Sequence, residues 1–346
     1  MLESNRIITS ICTITLERFN SLSRWLESHS AGRRFTLSPA SADASFRRYF
    51  RVRYEDESTL VIMDAPPRQE NCAPFVKVAL MMAECGLHVP TVIASDLEQG
   101  FLLLSDLGQT TYLTALDDTT ADTLFDDATT ALVRWQLASR ADTLPLYDEA
   151  LLRRELELFP EWYVSKHLGV QLDSGQRETM QAMFDLIIQN NLAQPATYVH
   201  RDFMPRNLMV CEPNPGILDF QDAVYGPISY DVVSLFRDAF ISWEEGRVLD
   251  WVVRYWEKAR KAKLPVRSDF GEFYREFEWM GLQRHLKVLG IFARIRYRDG
   301  KPAYLEDAPR FINYIHAVTR RYAALFPLKG LFETLEQGAI ESGQDL

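Results

Sequence analysis

Between Tyr198 and Val210 the chain reads YVHRDFMPRNLMV, with strand-forming apolar residues at both ends and Arg201, Asp202, Arg206 and Asn207 between them. Unpaired charge is too costly to bury for this to be the middle of a core strand. The stretch must be a loop held between two ordered elements and turned toward something polar. The rest of the chain has to supply the scaffold on either side of it.

Upstream, the chain is rich in strands. Residues 13–29 place Leu16, Phe19, Leu22, Trp25 and Leu26 at helical spacing, which predicts an opening amphipathic helix. Three strands are predicted next, Phe35 to Leu37, Tyr49 to Tyr54 and Thr59 to Met63. A small-residue loop, Ala40 to Ser45, joins the first two, and the polar EDES turn joins the last two. APFVKVALMMAECG predicts a helix that stops at Gly86, and Thr91 to Ser95 and Gly100 to Leu104 predict two further strands. From about Tyr112 onward most segments are helical in period, as in Leu124, Phe125, Ala128, Leu132 and Trp135, or Leu249, Val252, Val253 and Trp256. The exception is the span 197–224.

The predicted fold class is therefore α+β, of the two-lobed kind. Its expected domains are a β-rich lobe over residues 1–104, a hinge at 105–111, and a helical lobe over 112–346 with the hairpin 197–224. Lobes joined by a hinge make a cleft, where small ligands are expected to bind.

Composition narrows the function. A net charge of −10 over 346 residues, with no basic run, lacks the footprint of a nucleic-acid binder. Cys12, Cys72, Cys85 and Cys211 show no paired spacing and read as reduced thiols, neither a disulfide frame nor a zinc site. No apolar run is long enough to span a bilayer, and the N-terminus does not resemble a signal peptide, so a cytoplasmic location is expected. The sequence does not indicate an oligomeric state.

Three polar groups of the hairpin carry chemistry: Asp202, Asn207 and, after a turn rich in Pro and Asn, Asp219 in GILDFQDA. A carboxylate and an amide oxygen at adjacent strand ends suit Mg²⁺, which takes few protein ligands and completes its shell with water and phosphate. Asp202 could then accept a proton from a substrate hydroxyl. This is the pattern of phosphoryl transfer, D-x-x-x-x-N followed by a metal-binding Asp. Asp202 or Asp219 taken alone would equally fit a helix cap or a turn.

The residues HRDFMPRNL (His200 to Leu208), GILDFQD (Gly216 to Asp222), GPISYDVVSL (Gly226 to Leu235) and FLLLSDLG (Phe101 to Gly108) resemble the aminoglycoside phosphotransferase and choline-kinase-like family. The resemblance spans about residues 35–320. It implies a protein-kinase-like fold, ATP as donor and a small-molecule acceptor. Carried over position by position, it implies Asp202 as catalytic base, Asn207 and Asp219 as magnesium ligands, and Ser105 and Leu107 as hinge positions on the adenine edge. It also implies that Asp231 braces the catalytic loop near His200, although Asp231 would equally suit a helix N-cap.

Two departures stand out. No Lys occupies the third strand near Met63, and SPASADASF lacks glycine. Phosphate contacts would then fall to Ser41, Ser45 and nearby amides, with Arg47, Arg48 or Arg51 as the cationic candidates.

Within that family, DFQDAVYGPISYDVVSLFRDAF (Asp219 to Phe240) and EWMGLQRHLKVLGIFARIRYRDGKPAYL (Glu278 to Leu305) are most similar to the bacterial sugar kinases of cell-wall recycling. These phosphorylate the anomeric hydroxyl of N-acetylmuramate and N-acetylglucosamine. Gln221 and Asp222 could then reach sugar hydroxyls, and Arg201, Arg206 or Arg237 could meet the lactyl carboxylate of muramate. Ordinary hydrogen bonds or salt bridges within the protein would account for the same five residues. Trp279, Leu282, Leu286, Leu289 and Phe292 form a helical core stripe, with Arg284, His285, Lys287 and Arg294 on a basic face bordering the acceptor. The alternatives are a kinase of an aminoglycoside, amino alcohol or other metabolite, with Asp126, Asp127, Asp148 and Glu149 as its acidic pocket, and a nucleotide-binding regulator without catalysis.

Overall fold

The computed structural model describes residues 2–41 and 46–341, and side chains within 16–40 and 46–340. Two compact units are present. The first comprises Met1–Gln109 with Gly216–Gln221, and the second Thr110–Pro215 with Asp222–Leu346.

In the first unit α1 (Leu2–His29) is followed by β1 (Phe35–Ser41), β2 (Arg48–Tyr54), β3 (Thr59–Asp64), α2 (Ala73–Glu84), β4 (Val92–Asp96) and β5 (Phe101–Ser105). The strands form one antiparallel sheet in the order β1-β2-β3-β5-β4. Side chains alternate across a strand, so Val52, Tyr54, Ile62, Phe101 and Leu103 share a face. Leu22 and Leu26 of α1 are fully buried against it. The expected helical stripe is thus correct from Phe19 onward, whereas Leu16 is exposed. The EDES turn closes with the Ser58 carbonyl accepting from the Tyr54 amide at 3.0 Å. Ala40 and Ser41, expected in a loop, extend β1; Ser45 lies outside the described residues, as does the Ser41 side chain.

Asp64, at the end of β3, is fully buried and holds two cations. Arg18 of α1 donates Nε to its Oδ1 at 2.7 Å, and Arg48 of β2 donates Nε to its Oδ2 at 2.9 Å. A buried carboxylate is tolerated when paired to this degree. Through it, α1 is fastened to the sheet.

The second unit is mainly helical: α3 (Tyr112–Ala115), α4 (Ala121–Leu137), α5 (Glu149–Leu156), a π-helical segment Phe159–His167 and α6 (Ser174–Leu192). Then come β6 (Ala196–Val199), β7 (Val224–Pro227), α7 (Tyr230–Phe236), α8 (Glu245–Lys261), α9 (Phe270–Asp299), α10 (Ala308–Arg321) and α11 (Phe326–Glu341). β6 and β7 pair antiparallel, Ala196 opposite Pro227 and Val199 opposite Val224. No helix among the described residues is long and apolar enough to cross a membrane.

α9 runs through the core of this unit. Its stripe of Trp279, Leu282, Leu286, Leu289 and Phe292 is buried as expected. The other faces are buried too, because Glu276, Glu278, Arg284, His285 and Lys287 are all less than a tenth exposed. A helix enclosed on every side must pair each polar group internally or with a ligand. Gly290 is what lets the preceding segment approach: a Cβ there would lie 2.4 Å from the carbonyl carbon and oxygen of Leu158. Backbone cannot move aside as a side chain can, so Gly290→Ala should cost about 1–3 kcal/mol by overpacking. Denaturant unfolding of the purified variant checks this, with an unchanged midpoint as the contrary result.

Candidate active site

The charged stretch of the hairpin is the loop the sequence demanded. It leaves β6 at Val199, passes through a single 3₁₀ turn at Pro205–Asn207 and re-enters extended backbone at Leu208–Met209. Tyr198 anchors its start, packed against Trp135 of α4 with ring centroids 4.7 Å apart.

A carboxylate from the next helix organises the loop. Asp231 is fully buried near the start of α7; its Oδ2 accepts from the His200 amide at 2.7 Å and its Oδ1 from the Arg201 amide at 3.0 Å. The helix N-cap is Ser229, so the capping alternative does not hold. Burial pushes the Asp231 carboxyl up to about 7, against the two amide hydrogen bonds that favour its charged form.

Within the loop, the His200 Nδ1 accepts from the Asp202 amide at 3.2 Å. Asn207 donates Nδ2 to the Asp202 carbonyl at 2.9 Å. The amide's nitrogen is thereby engaged within the loop. Asp202, Asn207, Arg201 and Arg206 are half-buried, while His200 is fully buried. Arg201 sits at φ +76°, a left-handed backbone that an arginine adopts only under local constraint.

Arg201 is paired within the protein. Its Nη2 donates to Glu155 Oε1 at 2.5 Å. Glu155, buried on α5, also takes Lys287 Nζ of α9 at 3.0 Å and the hydroxyl of Tyr147. Lys287 in turn donates to the Tyr230 hydroxyl at 3.0 Å. Burial pushes the Glu155 carboxyl up, but Lys287 and Arg201 outweigh it and hold it below the usual range. This network was not legible in the sequence. Its members lie as far apart as Tyr147 and Lys287, and LLRRELELF around Glu155 reads as an ordinary helix.

The remaining predicted residues sort by unit. In the first, Asp219 has φ +61°, again left-handed for a non-glycine, and its Oδ1 accepts from Gln221 Nε2 at 2.8 Å. Phe220 between them packs on Phe75 of α2, ring centroids 4.8 Å apart. Gln221 is therefore a partner of Asp219, and Asp222 is exposed in the second unit.

Ser105 accepts through Oγ from the Thr91 amide at 2.8 Å, and Leu107 is buried. Asp106 between them is clamped by Arg51, Nε to Oδ2 at 2.6 Å, and Arg51 also reaches the Gly108 carbonyl at 2.8 Å. Arg47 pairs with Glu70 at 3.0 Å, so each arginine proposed for phosphate already holds a carboxylate. Met63 is fully buried, and the buried face of α2 is Phe75, Val78, Ala79 and Met82. The missing lysine is thus matched by the lack of an acid on that face.

In the second unit Arg206 lies over the Phe240 ring at 5.1 Å, and Arg237 is 4% exposed and bonded to Glu278. The acidic residues considered for a cationic acceptor are engaged elsewhere. Asp126 pairs with Lys258, Asp127 accepts from Asn214, Asp148 caps α5 and Glu149 pairs with Arg153.

Comparison with known proteins agrees with this geometry. The phosphotransferase enzyme family matches residues 36–267. A protein of Pseudomonas aeruginosa named N-acetylmuramate/N-acetylglucosamine kinase is 55% identical over 303 residues, 88% of this chain and 89% of its own. One of Neisseria meningitidis with the same name is 52% identical over 333 residues, 95% of this chain and 99% of its own. Among solved structures, a choline kinase from Streptococcus pneumoniae aligns with a TM-score of 0.61 at 12% identity, over 85% of this chain and 98% of that one. An ADP-bound aminoglycoside phosphotransferase aligns with a TM-score of 0.57 at 13% identity, over 85% and 97%. These two likenesses show the fold, kinase-like as expected, with an antiparallel sheet in one unit and helices in the other. The chain belongs to the phosphotransferase enzyme family.

Proposed function

We propose that this protein transfers the γ-phosphate of ATP to the anomeric hydroxyl of N-acetylmuramate or N-acetylglucosamine. The observation that carries the phosphotransfer is the loop in which Asp231 pins the amides of His200 and Arg201 while Asn207 closes onto the Asp202 carbonyl. The choice of acceptor is supported by the names of relatives 52–55% identical to this chain.

In this reading Asp202 accepts the proton of the acceptor hydroxyl as its oxygen attacks phosphorus. His200 and Asp231 act through the backbone, holding the loop so that the Asp202 carboxylate keeps its direction. The Arg201–Glu155–Lys287 network holds the same loop from the other side.

Asn207 and Asp219 fit a magnesium ion by donor chemistry. One is an amide whose nitrogen is already committed, the other a carboxylate set by a left-handed backbone and by Gln221. No cluster of three or more His, Cys, Asp or Glu suited to a metal occurs among the described residues. That pattern is compatible with Mg²⁺, which is commonly held by one or two carboxylates plus phosphate oxygens. When bound, the ion would offset phosphate charge during transfer.

Three measurements test this. ADP release with Mg-ATP should be stimulated by the two amino sugars and not by kanamycin or choline; the reverse selectivity would overturn the acceptor. Asp202→Asn should retain nucleotide binding yet lose turnover by about two to four orders of magnitude, the typical contribution of a general base. Asp219→Ala should weaken Mg-ATP binding measured by calorimetry, and equal affinity would remove it from the metal.

Asp231→Asn turns one acceptor into a donor facing an amide. It should cost about 1–3 kcal/mol. Because the folded-state pKa of Asp231 is raised to about 7, the native state holds more protons than the unfolded chain between pH ~4 and ~7. That stabilisation is full below the window and is lost as pH rises through about 7. The gap between wild type and Asp231→Asn, followed by denaturant unfolding, should therefore be wider at pH 5 than at pH 8.

A further inference from the structure

The chain leaves α7 through Arg237 and Asp238, and both are almost wholly buried, at 4% and 1% exposure. Arg237 donates Nη2 to Glu278 at 3.1 Å, but its Nη1 has no partner. Asp238 receives the amides of Phe240 and Ile241 on Oδ1, at 2.8 and 3.2 Å, and nothing on Oδ2. His285 of α9 is fully buried and neither ring nitrogen is hydrogen-bonded; its ring stacks on Tyr314 of α10, centroids 4.9 Å apart.

These groups converge. A Cβ on Gly281 would lie 3.4 Å from His285 Cε1 and 3.7 Å from Arg237 Nη1. Arg284 reaches the Arg237 carbonyl at 3.4 Å. Buried polar atoms are nearly always paired, so a cluster of four unpaired ones marks a place where something else supplies the partner.

Charge indicates what that is. Arg237, Arg284 and Arg321 are set against Glu278 and Asp238, and Arg321 is shared with Glu245 at the surface. Glu278 is shared between Arg237 and Arg321, and Arg237 Nη1 is left as the unpaired donor among these three arginines. Arg206 of the loop carrying Asp202 rests on Phe240, three residues beyond Arg237.

We propose that this cluster is the subsite reading the acceptor's lactyl carboxylate, with Arg237 Nη1 donating to it and Asp238 and His285 meeting adjacent polar groups of the sugar. This inference rests on the amino-sugar kinase reading. Arg237 is then the residue that separates N-acetylmuramate from N-acetylglucosamine, which lacks that carboxylate. A charge-assisted bond made in a buried setting is strong enough to set such a preference. Of the three arginines considered for this group, Arg237 is the one whose unpartnered guanidinium nitrogen belongs to this cluster, with its guanidinium over the Phe277 and Tyr314 rings.

Steady-state kinetics on the full chain decides it, using N-acetylmuramate, its methyl ester and N-acetylglucosamine. Wild type should show kcat/KM at least tenfold lower for the ester than for the acid. Arg237→Gln should lower the ratio of kcat/KM for N-acetylmuramate over N-acetylglucosamine by at least tenfold. An ester as good as the acid overturns the proposal, and so does a folded Arg237→Gln with an unchanged ratio. If the variant fails to fold, the ester comparison on wild type decides alone. Turnover of neither sugar by wild type would overturn the amino-sugar reading itself; turnover of both with an indifferent ester would overturn only the subsite.

Discussion

One buried carboxylate, Asp231, receives the backbone amides of two consecutive loop residues, His200 and Arg201. Much of the second unit can be understood as what it takes to keep that carboxylate there. Desolvation raises the cost of its charge, and hydrogen bonds to two amides repay part of it. α7 must begin at Ser229 for Asp231 to face the loop, and Ser229 is itself buried and bonded to Gln194 at 2.6 Å. The loop then has little freedom left. Arg201 takes a left-handed backbone, Asn207 closes onto the Asp202 carbonyl, and Asp202 is the carboxylate at the head of the turn.

A second set of buried charges holds the same loop through a side chain. Arg201, Glu155, Lys287, Tyr147 and Tyr230 form a closed network of two cations, one carboxylate and two hydroxyls. Apolar residues of the same volume would give comparable stability in such a position. An ionic network gives direction in addition, because a hydrogen bond is lost when its partner turns. A catalytic carboxylate that must meet a hydroxyl within hydrogen-bond reach gains from that kind of rigidity.

The first unit shows the same use of arginine as a fastener. Arg18 and Arg48 converge on Asp64, and Arg51 ties β2 to Asp106 and Gly108. The place where a phosphate-binding lysine was expected is filled by the apolar Met63, and α2 offers no acid on its buried face.

Strands and helices were legible along the chain because their hydrophobic periods, two and about 3.6, are local properties. The strands of the first sheet, the core stripe of α9 and the polar loop at Asp202 all follow from residues close together in sequence. The spacing from Asp202 to Asn207 and the later Asp219 was visible for the same reason. What only the tertiary structure decided is which charges are already spent. Arg201 meets Glu155 across 46 residues, Arg18 meets Asp64 across 46, and Arg51 meets Asp106 across 55. No local pattern encodes such pairs, because a charge is satisfied by whatever the fold brings within about 3 Å of it. The sequence alone therefore showed the loop and its polar residues, and the fold chose their supports.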